Sequence, residues 1–118
     1  MGIVRVNVSE VINSPSALTR EQGEKVYNCI VNNIKLENSV ILDFNQIESI
    51  ITPFLNVAIG KLYGDYPSDT IKKYLEIINI PNGKAASFNI VIRNAKSYYG
   101  NTIGYENAIN NTFENEKG

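Results

Sequence analysis

The chain contains no histidine. That removes the side chain most often used as a general base at neutral pH and as a metal ligand. Ser–His and Cys–His nucleophile pairs are excluded with it. Cys29 is the one cysteine, so no intrachain disulfide can form. A lone thiol suits a cytoplasmic setting. No apolar run reaches the ~18 residues of a membrane-spanning helix. The start, Met1-Gly2-Ile3-Val4-Arg5-Val6, lacks the basic-then-apolar layout of a secretory signal. Met1-Gly2 is not followed by the Ser or Thr that a myristoylation signal wants at the sixth position. Basic charge is not gathered either. Lys and Arg are scattered and the net charge is −1, which argues against a nucleic-acid surface. No internal repeat is visible.

What is present fits one globular domain. A chain of 118 residues with 43% apolar content can bury a single core without metal or disulfide support. Ile3 to Val8 is rich in β-branched residues and predicts a first strand. Ser9 to Ala17 reads as a connection, with Asn13-Ser14-Pro15-Ser16 as its turn cluster. Thr19-Arg20-Glu21-Gln22 has the form of a capping box and predicts a helix to about Ile34. Gly23 inside that helix costs up to ~1 kcal/mol relative to Ala, which points to close contact with another backbone. Cys29 falls on the apolar stripe with Val26, Ile30 and Ile34 and reads as a core thiol.

The stretch Val40–Gly64 organises the rest. Val40-Ile41-Leu42 is a continuous apolar run, as in a strand covered on both faces. Thr52 is expected at a helix N-cap and Pro53 at the first helical position. Phe54, Leu55, Ala58, Ile59 and Leu62 recur at helical spacing, and Gly64 reads as the stop signal. A short helical turn through Thr70–Lys73, a third strand at Tyr74–Ile78 and a helix from Lys84 to Tyr99, capped by Asn82, follow. The sum is an α/β domain over residues 1–100. Its sheet is mostly parallel or mixed, of roughly three to five strands, with helices packed on it. Residues 101–118 read as a polar tail or weak helix.

The ordered set of these elements resembles the STAS-like family of unknown function, related to the STAS domains of sulfate transporters and anti-sigma factor antagonists. The resemblance rests on Val40-Ile41-Leu42-Asp43-Phe44, Ile47, Ile50-Ile51, Thr52-Pro53-Phe54-Leu55 and Gly60-Lys61-Leu62. It extends to Ala17–Gly23 upstream and Tyr74–Asn79 and Ile90–Ile92 downstream. It implies a bacterial or phage regulatory module that works by protein–protein contact. In anti-sigma factor antagonists, a serine opening the corresponding helix is phosphorylated by a partner kinase of the GHKL ATPase type. An overlay without gaps puts Thr52 there, with Ile51, Pro53 and Phe54 in place of the motif's Asp, Ser and Gly. The resemblance therefore implies docking through Ser49, Ile51, Thr52, Pro53, Phe54 and Asn56, with switching at Thr52.

Each candidate has a plainer reading beside it. Thr52 can simply cap its helix. Phe54 is an anchor if exposed and core if it packs on the sheet. An inhibitor or homodimer module using the same surface is the alternative function. Asp43 closes a strand where open α/β sheets place ligands, so an enzyme pairing it with Glu48 or Asp65 competes. Fixing the following turn is its simpler role. Gly83-Lys84 precedes a helix, but Ile78 and Ala85 occupy the other key positions of a phosphate loop. No cofactor, metal or catalytic residue is expected. Tyr63, Tyr66, Tyr74, Tyr98, Tyr99 and Tyr105 suit a boundary layer between core and solvent or an interface. Arg20 opens the first helix, where a cation opposes the helix dipole.

Overall fold

The computed structural model describes the backbone of residues 1–108 and the side chains of residues 1–100. Residues 109–118, most of the expected tail, lie outside the described residues. The architecture is α/β. Three parallel strands, β1 (Ile3–Asn7), β3 (Ser39–Asp43) and β5 (Leu75–Ile78), form the main sheet in the order β1-β3-β5. A second parallel pair joins β2 (Ser16–Ala17) to β4 (Ser49–Ile50). The helices are α1 (Val8–Ile12), α2 (Arg20–Lys35), α3 (Thr52–Leu55), α4 (Leu62–Asp65), α5 (Ser68–Tyr74) and α6 (Ala85–Ala108). A π-helical stretch, Asn56–Gly60, bridges α3 towards α4.

Two elements emerge where the Ser9–Ala17 connection is expected, the first taking Val8 from the end of the expected strand. α1 is capped by Asn7, whose side chain accepts the Glu10 N–H at 3.1 Å. It ends at Asn13, which adopts the left-handed conformation at φ 55 and donates to the Ser9 and Glu10 carbonyls. β2 follows and pairs with β4, a two-residue strand between the expected Val40–Leu42 strand and the helix expected at Thr52. The α2 capping box forms as its spacing predicts. Gln22 N–H donates to the Thr19 hydroxyl at 3.0 Å, and the Gln22 side-chain oxygen accepts the Thr19 N–H at 3.0 Å.

The core lies on one face of the main sheet. Val6, Val40 and Leu42 are buried, and Val4, Leu75 and Ile77 pack against them. α2 and the helical run from Thr52 complete this layer with Val26, Ile30, Phe54, Leu55, Ala58, Ile59 and Leu62. α6 adds Phe88, whose ring meets Phe44 edge-on with centroids 5.0 Å apart. The expectation that β3 is covered on both faces is corrected. Ile41 is only half-buried and stands outside the core cluster, so the apolar run hides a period-two alternation.

Two glycines act by permitting approach. A Cβ on Gly23 would sit 2.8 Å from the Phe54 carbonyl oxygen, so α2 can meet α3 at backbone distance only with glycine there. Gly64 lies within α4, rather than past its end, and carries the Tyr99 ring against it. The α6 start also differs from expectation. Lys84 N–H bonds the Pro81 carbonyl at 3.0 Å and Gly83 takes φ 79, a turn whose third position favours glycine. The helix begins after this turn, at Ala85, so Asn82 belongs to the turn and not to the cap.

On the surface of α2, Lys61 lies 3.4 Å from Glu24 and its ammonium sits 4.6 Å from the Tyr27 ring centroid. The Tyr27 hydroxyl donates to Asp65. Burial, and then that bond, pushes the Tyr27 phenol up.

Candidate functional site

The expected docking edge is built around the small sheet. β2 and β4 run parallel, and each leads directly into a helix at the same end. β2 passes through Leu18 and Thr19 into α2, and β4 passes through Ile51 into α3. Ile51 N–H bonds the Ala17 carbonyl at 3.2 Å, which extends the pairing one step. Side chains alternate across a strand, so buried Ala17 and Ile50 force Leu18 and Ile51 outward. Both are 43% exposed. An apolar pair therefore stands at the adjacent starts of two helices.

Ser49, Thr52, Pro53 and Asn56 are exposed alongside Ile51. Phe54 is not: its side chain is fully buried in the core. The expectation that Phe54 belongs to a docking surface is corrected. Its place three residues into the helical run turns it inward with Leu55, Ala58 and Leu62.

Thr52 also differs from its expected role. The Ile51 carbonyl accepts the first helical bond, from Leu55 N–H at 3.3 Å, and Ile51 has extended φ −128 and ψ 163. Ile51 is therefore the N-cap, and Thr52 is the first helical residue. No side chain of the described residues caps this end. Pro53 remains compatible because the first several amides of any helix lack helical partners. The Thr52 hydroxyl makes no hydrogen bond with a described residue, and the side chain is exposed.

Leu18 is the surface residue the sequence reading passed over. A signal for it exists. A residue preceding an N-cap commonly packs on the fourth helical residue as a hydrophobic staple. Here that fourth residue is Gly23, which has no side chain to offer.

Asp43 lies elsewhere, at the C-terminal end of β3, and is 3% exposed. One oxygen accepts the Asn79 side-chain amide and the Asn45 N–H, each at 2.8 Å. The other meets Arg5 at 3.3 Å. The Asn79 bond, helped by Asn45 and Arg5, holds the carboxyl below its usual range against the opposing effect of burial. The carboxylate ties β1, the turn after β3 and the end of β5 together. Neither expected acidic companion joins it: Asp65 meets Tyr27, and Glu48 is exposed in the loop, its N–H bonded to the Pro15 carbonyl at 2.7 Å. Among the described residues no group of three His, Cys, Asp or Glu side chains could hold a metal ion. None of the described helices is long and apolar enough to cross a membrane.

Comparison with known proteins bears on the whole unit. No curated protein and no solved structure matches the chain. The family model described as STAS-like domain of unknown function (DUF4325) matches residues 22–84. That span runs from the first turn of α2 through β3, the helical run, α5 and β5, and covers more than half of the chain. The chain belongs to the family of STAS-like domains of unknown function.

Proposed function

We propose that this domain is a regulatory docking module that binds a protein partner through Ile51, Thr52, Pro53, Asn56 and Ser49, with Leu18 beside them. One observation carries the proposal: the Thr52 hydroxyl is exposed and bonds no described residue at a helix start, next to the outward pair Leu18 and Ile51. Apolar side chains held at the mouth of two rigid helices can fill a pocket on a partner. A hydroxyl with no capping duty is free to be modified. A phosphate there would add about −2 charge at the centre of the surface. It would favour the helix start and oppose an apolar fit.

The likeness to anti-sigma factor antagonists supports a partner of the GHKL ATPase or kinase type, acting in the cytoplasm. The module acts by binding rather than by catalysis. The oxygens of Asp43 are engaged by Asn79, Asn45 and Arg5, which suits a structural carboxylate.

The test is affinity capture from host lysate with the wild type, Thr52→Glu and Ile51→Asp, read by mass spectrometry. The expected result is an ATPase-like partner held by the wild type and lost from both variants, with phosphate found on Thr52. Equal retention by all three proteins would remove this edge as the interface.

A further inference from the structure

Among the described residues the second face of the main sheet stays open at Ile3, Arg5 and Glu76, and its pattern is not that of a solvent face. By register and alternation it carries Ile3, Arg5 and Asn7 from β1, Ser39, Ile41 and the buried Asp43 from β3, and Glu76 and Ile78 from β5. Ile3, Ile41 and Ile78 are absent from the core cluster, whereas the alternate residues Val4, Val40, Leu75 and Ile77 belong to it or pack on it. Ile3 is 74% exposed. At the start of the strands the face opens into a shallow groove of about 270 Å³, bordered by Ile3, Ile41, Tyr74 and Glu76 with Lys72 and Lys73.

Charge on this face is arranged across the strands. Arg5, Ile41 and Glu76 share one register, with the cation on one edge strand and the anion on the other. The Arg5 side chain is 63% exposed and uses one nitrogen on Asp43, leaving further donors free. The Glu76 side chain is exposed and makes no ion pair or hydrogen bond with a described residue.

We infer that this open face is a dimer interface whose occupant is a second copy of the chain, stacked face to face about a two-fold axis parallel to the strands. Turning the face over about that axis exchanges its two edges. Arg5 then lies over Glu76 of the partner subunit, Glu76 lies over Arg5 of the partner subunit, and Ile41 meets its own copy on the axis. An axis across the strands would set Arg5 on Arg5 and Glu76 on Glu76. The charges therefore select one geometry, and it is the aligned packing that sheet sandwiches favour. Ile3 would enter the groove beside Tyr74 of the partner subunit, which accounts for an isoleucine left in the open. An unrelated partner would have to supply this mirrored pattern; a second copy already has it.

The face is small. Three short strands ~4.8 Å apart fall below the roughly 800 Å² per partner of a standard interface. The dimer is accordingly weak, with a dissociation constant on the order of 10–100 µM.

Sedimentation velocity on the full chain, from roughly 5 to 500 µM, tests this. The wild type is expected to shift from monomer to dimer within that range. Arg5→Glu and Glu76→Arg should each raise the dissociation constant at least about tenfold, by opposing like charges. An equimolar mixture of these two variants should dimerise again, because each then meets the opposite charge. Circular dichroism checks folding. Where Arg5→Glu does not fold, Glu76→Arg and the exposed Ile3→Asp carry the test, and both are expected to weaken the dimer. A wild type that stays monomeric throughout overturns the proposal and leaves the face to a different protein. A dimer indifferent to Glu76→Arg and Ile3→Asp, or one lost with Ile51→Asp, overturns it as well.

Discussion

Gly23 lies under the Phe54 carbonyl at a distance that leaves no room for a side chain: a Cβ would fall 2.8 Å from the oxygen and 3.0 Å from the Val57 Cβ. The contact fixes how closely α2 approaches the helix that carries the proposed docking edge. Gly23→Ala sets two effects against each other. Alanine gains up to ~1 kcal/mol of helix propensity. Forcing a methyl against backbone costs about 1–3 kcal/mol and cannot be relieved by a rotamer change. The clash should win, and urea unfolding should show a net loss of about 1–2 kcal/mol. A stabilised variant would mean that α2 can slide away without cost.

Asp43 supplies a pH-dependent contribution of known sign. Its bonds to Asn79, Asn45 and Arg5 depress the folded-state value below the unfolded value of ~3.9. The folded chain therefore gives up its proton more readily than the unfolded chain. The associated stability is present above the unfolded value and lost as pH falls through the folded one. Asp43→Asn should flatten the acid limb of stability against pH. At neutral pH it should cost about 2–4 kcal/mol, because Arg5 loses its ion pair and an Asn79 donor faces a mixed amide. An unchanged acid limb would show that other carboxylates control it.

How far the sequence discloses this molecule depends on whether a signal is local. Thr19 and Gln22 are three residues apart, and their capping box forms as spelled. The family match and the strand–helix alternation follow from runs such as Val40–Phe44 that carry their own pattern. β2 and β4 are two residues each and exist only through pairing with each other, so neither announces itself. The π-helical Asn56–Gly60 uses the same apolar spacing as an α-helix, and its extra residue per turn is a matter of packing against α2 and α6. At the candidate site, exposure of Ser49, Ile51, Thr52, Pro53 and Asn56 lies in one loop-to-helix segment. Leu18 joins them from 33 positions before Ile51 only because the small sheet brings it there.

Phe54 and Ile51 lie three residues apart and should respond in opposite ways. Phe54 is fully buried, and Phe54→Ala should cost about 3–5 kcal/mol through lost burial and a residual cavity. Any loss of binding in that variant would report unfolding. Ile51→Asp changes an exposed side chain and should move stability by less than about 0.5 kcal/mol. Thermal melts of both variants separate these effects. A strongly destabilised Ile51→Asp would show that the residue belongs to the core rather than to a docking surface.

Thr19 and Thr52 stand before or at the start of helices that leave the same end of the small sheet, and the sequence around each suggests a cap. Only Thr19 is one. Its hydroxyl accepts the Gln22 N–H at 3.0 Å, and its own N–H is held by the Gln22 side chain. Thr19→Ala removes the hydroxyl half of that exchange, keeps the backbone N–H bond to Gln22, and should cost about 1 kcal/mol. Thr52 sits one residue too late, because the Ile51 carbonyl already accepts the first helical bond from Leu55. Its hydroxyl bonds no described residue, so Thr52→Ala gives up no cap and gains slightly in helix propensity. The expected change is within about 0.5 kcal/mol of zero. Paired urea titrations of the two variants decide the matter. Should Thr52→Ala cost as much as Thr19→Ala, the Thr52 hydroxyl is committed to its helix, and a phosphate added there would have to break that bond first.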